Sequence, residues 1–124
     1  MMALNKVLIA GRLTRKPELR KTPGGVAVTD LFVALNREFQ TQSGDKQQEV
    51  CFVDVVVWGK QAEACVDFLD CSSQVFVEGR LQLDVWYGKE EKDKRCKLRV
   101  AAERVQFLDP KEINKLEELA NCSG

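Results

Sequence analysis

Histidine is absent from this chain of 124 residues, and tyrosine (one) and proline (three) are scarce. Without histidine the chain has no His-based catalytic arrangement and no mixed Cys/His zinc site, which between them serve much of hydrolytic and metal chemistry. An apolar run of 18 residues is also missing, which excludes a transmembrane helix. These absences shift the expectation away from enzymes and membrane proteins, toward a binding module of one domain.

Motifs that bind metals or phosphates are missing as well. The five cysteines are odd in number, form no C-x-x-C pair and mostly fall inside apolar patterns, which favours reduced structural thiols. There is no G-x-x-x-x-G-K-[ST] loop, no zinc pattern and no pairing of carboxylates suited to catalysis. The N-terminus has no charged segment followed by a cleavable apolar one, so a reducing cytoplasm is the expected location. The sequence therefore predicts a protein that is not an enzyme and needs no cofactor or metal.

Charge is balanced overall, with 19 basic and 19 acidic residues, but it is segregated along the chain. Residues 1–40 carry a net charge of +4 and residues 79–108 carry +3, whereas residues 41–78 carry −5 and residues 109–124 carry −2. If the fold brings the two basic blocks together, a neutral protein can present a positive face to a polyanion. Charge alone is equally compatible with a mixed, solvated surface.

Five segments alternate between apolar and polar residues with the period of a β-strand. They are residues 5–13, 26–36, 50–58, 74–86 and 96–107. The last segment changes parity at Val105 and Phe107, which predicts a bulge. Between the third and fourth segments, apolar residues recur at helical spacing in 60–69, which predicts a short amphipathic helix. The polar stretch 40–49 is typical of a long loop.

The resulting order, β-β-β-α-β-β, is that of the OB-fold, a partly open Greek-key barrel whose strands and loops bind oligonucleotides or oligosaccharides. We therefore expect an all-β domain with one helix, a five-stranded barrel with the short helix between strands 3 and 4, over residues 1–108. Residues 109–124 form a short C-terminal segment in which Ile113, Leu116 and Leu119 are spaced for a helix.

Large aromatic residues fall on the strand faces nearer to water. Phe52 and Trp58 share a face with Asp54 and lie roughly 20 Å apart along one strand. Trp86 shares its face with Arg80. Such rings can stack on unpaired nucleobases, because every base has a π-face. Alternatively, they cover a second small core or a subunit interface, where aromatic residues are also enriched.

Basic residues close to these rings are candidates for phosphate contacts and cation–π contacts. They are Arg37 near Phe39, Lys60 near Trp58, and Arg80 on the face of Trp86. By contrast, Phe32 and Phe76 have no obvious basic partner in the sequence, which favours a packing role for both rings.

Several motifs occur together in this chain: NKVLIAGRL, PELRKTPGGVAV, FVDVVVWGKQAE, SQVFVEGRL and the Trp86 that follows. With them the chain resembles bacterial single-stranded DNA-binding proteins of the OB-fold type, over about residues 5–108. The resemblance implies that the family's four DNA-stacking positions are Phe39, Phe52, Trp58 and Trp86. It also implies that basic positions of the family correspond to Lys6, Arg20, Lys60 and Arg95. Strict alternation turns Phe39 toward the core unless its strand ends or bulges near Arg37.

The resemblance further implies a homotetramer that single-stranded DNA wraps around and that protects this DNA in replication, recombination and repair, in the bacterial cytoplasm at the nucleoid. Gln82, Asp84 and Val85 stand where some family members are basic, which predicts a different affinity or binding mode. A Gly/Gln-rich linker and an acidic tip ending in Asp-Asp-Ile-Pro-Phe are absent, and KLEELANCSG stands there instead. Without that tip, recruitment of replication and repair proteins through it is not expected.

Two other functions stay open on the sequence. One is a primosomal or phage-type accessory OB-fold protein that acts mainly through protein partners. The other is a structural interaction module in which Trp58 and Trp86 are buried against a neighbouring subunit. The expectation that the residues and the resemblance favour is a non-catalytic, largely sequence-independent binder of single-stranded DNA.

Overall fold

Strands dominate the fold because the β-branched, alternating segments each bury one face. In a computed structural model that describes residues 2–89 and 92–108, the elements are β1 (Val7–Leu13), β2 (Arg20–Lys21), β3 (Ala27–Gln40), β4 (Lys46–Trp58), α1 (Lys60–Phe68), β5 (Gln74–Tyr87) and β6 (Lys94–Phe107). The five predicted strands and the helix are confirmed, and β2 is an additional short strand beside β3. The C-terminal segment 109–124 lies outside the described residues.

The described strands form one sheet in the order β1-β5-β6-β4-β3-β2, and pairing of β1 with β3 closes it into a barrel. β4 and β6 run parallel, while the other pairs are antiparallel. Two junctions are short, because β4 joins β6 and β1 joins β3 through only two residue pairs each. The predicted five-stranded barrel with its helix between the third and fourth long strands is therefore confirmed.

The core lies where the inward faces of the strands meet the helix. Its fully buried strand residues include Leu13, Leu31, Val33, Val55, Val57, Val75 and Val77. Ala62 and Cys65 of α1 are buried against this cluster, so the helix closes one end of the barrel. Gly59 is the N-cap residue that precedes the helix, with φ +70°, a conformation that glycine adopts without steric cost.

The predicted change of parity in the last strand is a bulge. The pairing of β5 with β6 passes from Glu78↔Arg104 to Gly79↔Ala102, which leaves Glu103 without a partner in the ladder. Because of this extra residue, Val105 packs against the core although it is an odd number of positions from Ala102.

The prediction of a long loop at residues 40–49 is wrong. β3 and β4 pair in unbroken register from Val28↔Trp58 to Gln40↔Lys46, so they extend beyond the barrel as a hairpin arm. Both faces of this arm meet water near its tip, and polar residues therefore occupy both faces. Their composition resembles that of a loop, while the ladder satisfies the backbone hydrogen-bonding groups.

A second arm, formed by β5 and β6, carries apolar residues into solvent. The alternation places Leu81, Leu83 and Val85 on the core side of β5, but the barrel ends before it covers them, and they are 45%, 57% and 43% exposed. Leu98 on β6 pairs with Leu83 and is 59% exposed. We refer to these four residues as the apolar strip.

Among the described cysteines, all of them free, Cys65 is buried, whereas Cys51, Cys71 and Cys96 are exposed. The sequence predicts reduced structural thiols; of the described cysteines only Cys65 lies in the core, and Cys122 lies outside the described residues. Burial raises the pKa of the Cys65 thiol from its ordinary value of 9.0 to about 11.

This raised pKa predicts a loss of stability in alkaline solution. Between pH 9.0 and about 11 the unfolded chain releases the Cys65 proton while the folded chain keeps it, so the free energy of unfolding falls as pH rises. At about pH 10 the expected loss is on the order of 1 kcal/mol. Thermal melts of the wild type and of Cys65→Ala at neutral and alkaline pH check this. An equal alkaline loss in both proteins would contradict it.

Candidate nucleic-acid interface

Residues that alternate with the core residues on β3, β4, β5 and β6 form one outer face of the barrel. Side-chain parity and register place Val56 of β4 beside Ala101 of β6, which in turn lies beside Arg80 of β5. This outer face carries Asp30, Phe32, Phe52, Asp54, Trp58, Arg80, Asp84, Trp86, Arg95, Lys97 and Arg99. It therefore combines aromatic rings with charges of both signs.

Three of the four predicted stacking residues share this outer face and are open to solvent. Phe52 is 73% exposed, Trp58 is 47% exposed and Trp86 is 44% exposed. Beside Phe52, where β4 and β6 no longer pair, lies a cleft of about 370 Å³ whose lining also includes Leu81 and Leu98. The rings are thus uncovered in the described part of the chain, as stacking on a base requires.

Phe39 does not join them. β3 is regular through this position, so Phe39 keeps the parity of the core residues and points to the opposite side of the sheet. It lies on the hairpin arm, half-buried, with the guanidinium carbon of Arg37 at 5.7 Å from its ring centroid. This is the orientation that strict alternation predicts, and a stacking role for Phe39 stays a prediction.

Two of the cations that are predicted to bind phosphates form ion pairs with carboxylates of the same protein. Lys6 pairs with Glu78, and their hydrogen bond raises the pKa of Lys6 and lowers that of Glu78. Arg20, on β2, donates a hydrogen bond from Nη2 to Oδ2 of Asp30 at 2.8 Å. A phosphate that binds either cation must therefore compete with an acidic side chain of the same protein.

The remaining predicted cations are held more loosely. Arg80 lies 4.0 Å from Glu103 and Arg95 lies 3.6 Å from Asp93, and these four side chains are about half exposed. Lys60, the first residue of α1, has no ion pair within the described part of the chain. These cations meet solvent and can reach a phosphate at little cost.

The sequence places Asp54 on the face of Phe52 and Trp58, but it does not show which cations pair with the carboxylates of this face. Arg99 lies between two of them, with Nε at 3.0 Å from Oδ2 of Asp84 and Nη1 at 3.7 Å from Oδ1 of Asp30. Lys97 pairs with Asp54 next to Phe52. The partners come from different strands, so only register could have placed them together. The outer face is consequently less positive than its number of basic residues suggests.

The structure also corrects the interpretation of Phe32. The guanidinium carbon of Arg15 lies 3.5 Å above the centroid of its ring, so Phe32 does have a basic partner. Arg15 lies 17 positions earlier in the chain, in the segment between β1 and β2, and no local pattern links the two residues. Phe76, on β5, has no such cationic partner among the described residues.

The cysteine, aspartate and glutamate side chains of the described residues form no group of three that could hold a metal ion. No helix in the described part of the chain is long and apolar enough to cross a membrane. What the outer face offers is flat ring surface, ion-paired cations and free cations.

Neutralising a carboxylate of the outer face is expected to raise the affinity of the protein for single-stranded DNA. Asp84→Asn removes the nearer of the two carboxylates that hold Arg99 and leaves only Asp30 at 3.7 Å, so Arg99 meets a phosphate of a bound DNA strand more readily. We expect tighter binding of oligo-dT at low salt and a log-log salt dependence steeper by about 0.7. Fluorescence titration at several salt concentrations measures both. Asp67→Asn on α1 is the matched control, and equal affinities of the two variants would contradict the prediction.

The chain and its fold are similar to those of known proteins. The model of the Single-strand binding protein family matches residues 4–108. The single-stranded DNA-binding protein of Wolinella succinogenes is 44% identical over 107 residues, which cover 86% of this chain and 65% of that protein. Single-stranded DNA-binding protein A of Bacillus subtilis is 44% identical over 108 residues, which cover 87% of this chain and 61% of that protein.

A solved structure agrees with these sequence matches. The wild-type single-stranded DNA binding protein from Thermus aquaticus superposes with a TM-score of 0.75 at 36% identity, over 87% of this chain and 52% of that chain. The chain spans less than two thirds of the length of these relatives. The match covers the barrel and the outer face, and the resemblance stated from the motifs is confirmed.

Proposed function

Because this chain belongs to the Single-strand binding protein family, we propose that it binds single-stranded DNA with little sequence preference, by stacking bases on exposed rings and neutralising phosphates. The observation that supports the proposal is the placement of Phe52, Trp58 and Trp86 on one solvent-exposed face. Stacking contributes about 1 to 3 kcal/mol per base and tolerates any base. The proposed activity is binding of DNA without any catalytic step.

Arg80, Arg95 and Lys60 are the cations that meet phosphates most readily, since their competing contacts are loose or missing in the described residues. Lys6 and Arg20 contribute only after their carboxylate partners are displaced. Arg37 and Phe39 lie on the opposite side of the sheet, on the hairpin arm of β3 and β4, so they contact DNA only where the bound strand passes around that arm. Because only some of the cations are free to bind phosphates, the affinity for DNA is expected to depend less steeply on salt than the number of basic residues suggests.

Titration of the full chain with oligo-dT, followed by the emission of Trp58 and Trp86, tests the proposal. Stacking on these rings quenches their fluorescence, and affinity falls as salt rises with a log-log slope of roughly −0.7 per phosphate neutralised. Unchanged emission with no complex at low salt would refute the proposed function. Binding with a flat salt response would refute the electrostatic part alone.

We also propose that the protein assembles as a homotetramer and protects single-stranded DNA in replication, recombination and repair in the bacterial cytoplasm. The apolar strip supports self-association, because exposed contiguous apolar surface favours a protein interface. Light scattering of the free protein and of its DNA complex measures the number of copies, and a monomer or a dimer in both would refute this assembly. The matched relatives give no support to the accessory role.

A further inference from the structure

Arg15 and Phe32 form a layered pair at the edge of the outer face. The Arg15 guanidinium carbon lies 3.5 Å from the ring centroid of Phe32, a distance typical of one plane stacked on another. Arg15 is exposed, whereas Phe32 is half-buried. The guanidinium is therefore supported from below by the ring and open to solvent above.

This pair borders a pocket of about 210 Å³ between the β1–β2 segment and the outer face. Its lining combines two kinds of group. Leu19 and Phe32 supply apolar surface, while Lys16, Arg15 and Arg20 supply positive charge against Glu18 and Asp30. Apolar walls beside an excess of cations suit a ligand that has a flat ring and a negative charge, as a nucleotide has.

The position of the pocket relates it to the stacking residues. Phe32 is the register partner of Asp54 on β4. Along that strand Asp54 lies two residues from Phe52 and four from Trp58, or about 7 and 13 Å. A DNA strand that contacts both Phe52 and Trp58 must cross the stretch of β4 between them. Phe32 lies beside that stretch, on the neighbouring β-strand β3.

Resting on the proposed function, we propose that Arg15 and Phe32 form a further nucleotide-binding position, which takes a base of the bound DNA between the bases on Phe52 and Trp58. The base stacks on the open face of the Arg15 guanidinium, a plane that nucleobases accept as they accept an aromatic ring. The neighbouring phosphate meets Lys16, which lines the same pocket, and meets Arg20 once Arg20 releases Asp30. Phe32 acts as a positioning residue, because its ring holds the guanidinium flat.

Affinity for oligo-dT in Arg15→Lys, Phe32→Leu and the double variant tests this position. Arg15→Lys keeps the charge and removes the plane, and Phe32→Leu keeps apolar volume and removes the support. Each is expected to weaken binding by at least about fivefold. The double variant is expected to bind oligo-dT no more weakly than the weaker-binding of the two single variants, because both substitutions remove the same stacking surface. Phe76→Leu, also half-buried on the outer side of β5, is the control.

The outcomes separate this inference from the proposed function. If the wild type does not bind oligo-dT, the proposed function falls and this position with it. If the wild type binds and Arg15→Lys binds equally well, Arg15 supplies charge alone and the position is refuted, whatever Phe32→Leu does. Weaker binding by Arg15→Lys, with an unchanged melting temperature and an unchanged slope of affinity against salt, supports it.

Discussion

Replacing Trp58 and Trp86 together by alanine is expected to weaken binding of oligo-dT by about 10²-fold or more. A ring that stacks on a base contributes about 1 to 3 kcal/mol, and every 1.4 kcal/mol is a factor of ten in affinity. The two rings lie on different strands of the outer face and are each nearly half exposed, so their losses should add. Polarisation of a dye-labelled oligonucleotide measures the affinity, since the double variant has no tryptophan.

The control removes two exposed rings that lie away from the outer face, by Phe68→Ala on α1 and Tyr87→Ala on β5, which are 75% and 64% exposed. This variant should bind as the wild type does. Light scattering of the tryptophan variant separates the alternatives. Lost binding with the assembly intact supports stacking, whereas lost assembly supports rings buried at a subunit interface. Binding within about twofold of the control would contradict stacking altogether.

Replacing Gly79 by alanine is expected to have the largest effect on stability. Gly79 is buried on β5 at the bulge, and a Cβ there would overlap the carbonyl oxygen of Ala101 and lie 3.0 Å from its carbonyl carbon. The obstacle is backbone in the middle of a ladder, which cannot rotate away as a side chain would. We expect a loss of about 1 to 3 kcal/mol or more, and a melting temperature lower by about 5 to 15 °C.

Gly24→Ala provides the matched control, because its nearest neighbour would be Oγ1 of Thr22 at 3.9 Å and its φ is ordinary. Thermal unfolding followed by circular dichroism compares the two variants. Equal melting temperatures would show that β6 yields at Ala101, and would contradict the close approach of the two strands.

Much of the barrel could be predicted because alternation reports burial directly. Leu31, Val33, Val55 and Val57 occur every second residue and are all buried. The change of parity before Val105 likewise predicted the bulge. Alternation says which face a residue takes but not where the barrel ends, so it could not show that Leu81 and its neighbours on β5 are exposed.

The sequence predicted which face the aromatic rings of the candidate site occupy, but it did not predict the ion pairs around them. Phe52 and Trp58 lie on one strand, so their shared face follows from spacing alone. The partners of Arg99, by contrast, come from β3 and β5, and the partner of Phe32 comes from a segment without regular structure. Such contacts depend on strand order and register, which neither composition nor local pattern contains. The resemblance supplied the positions of the rings, but not the carboxylates that are interleaved with them here.

The two short junctions of the barrel divide it into halves, β1-β5-β6 on one side and β2-β3-β4 with α1 on the other. Amide hydrogens at these junctions should exchange sooner than those inside the long hairpins, since few ladder bonds must open. Phe52 and Trp58 belong to one half and Trp86 to the other. A DNA strand that engages all three rings would therefore bridge the junction between β4 and β6, so occupancy should slow exchange there and raise the melting temperature with ligand concentration.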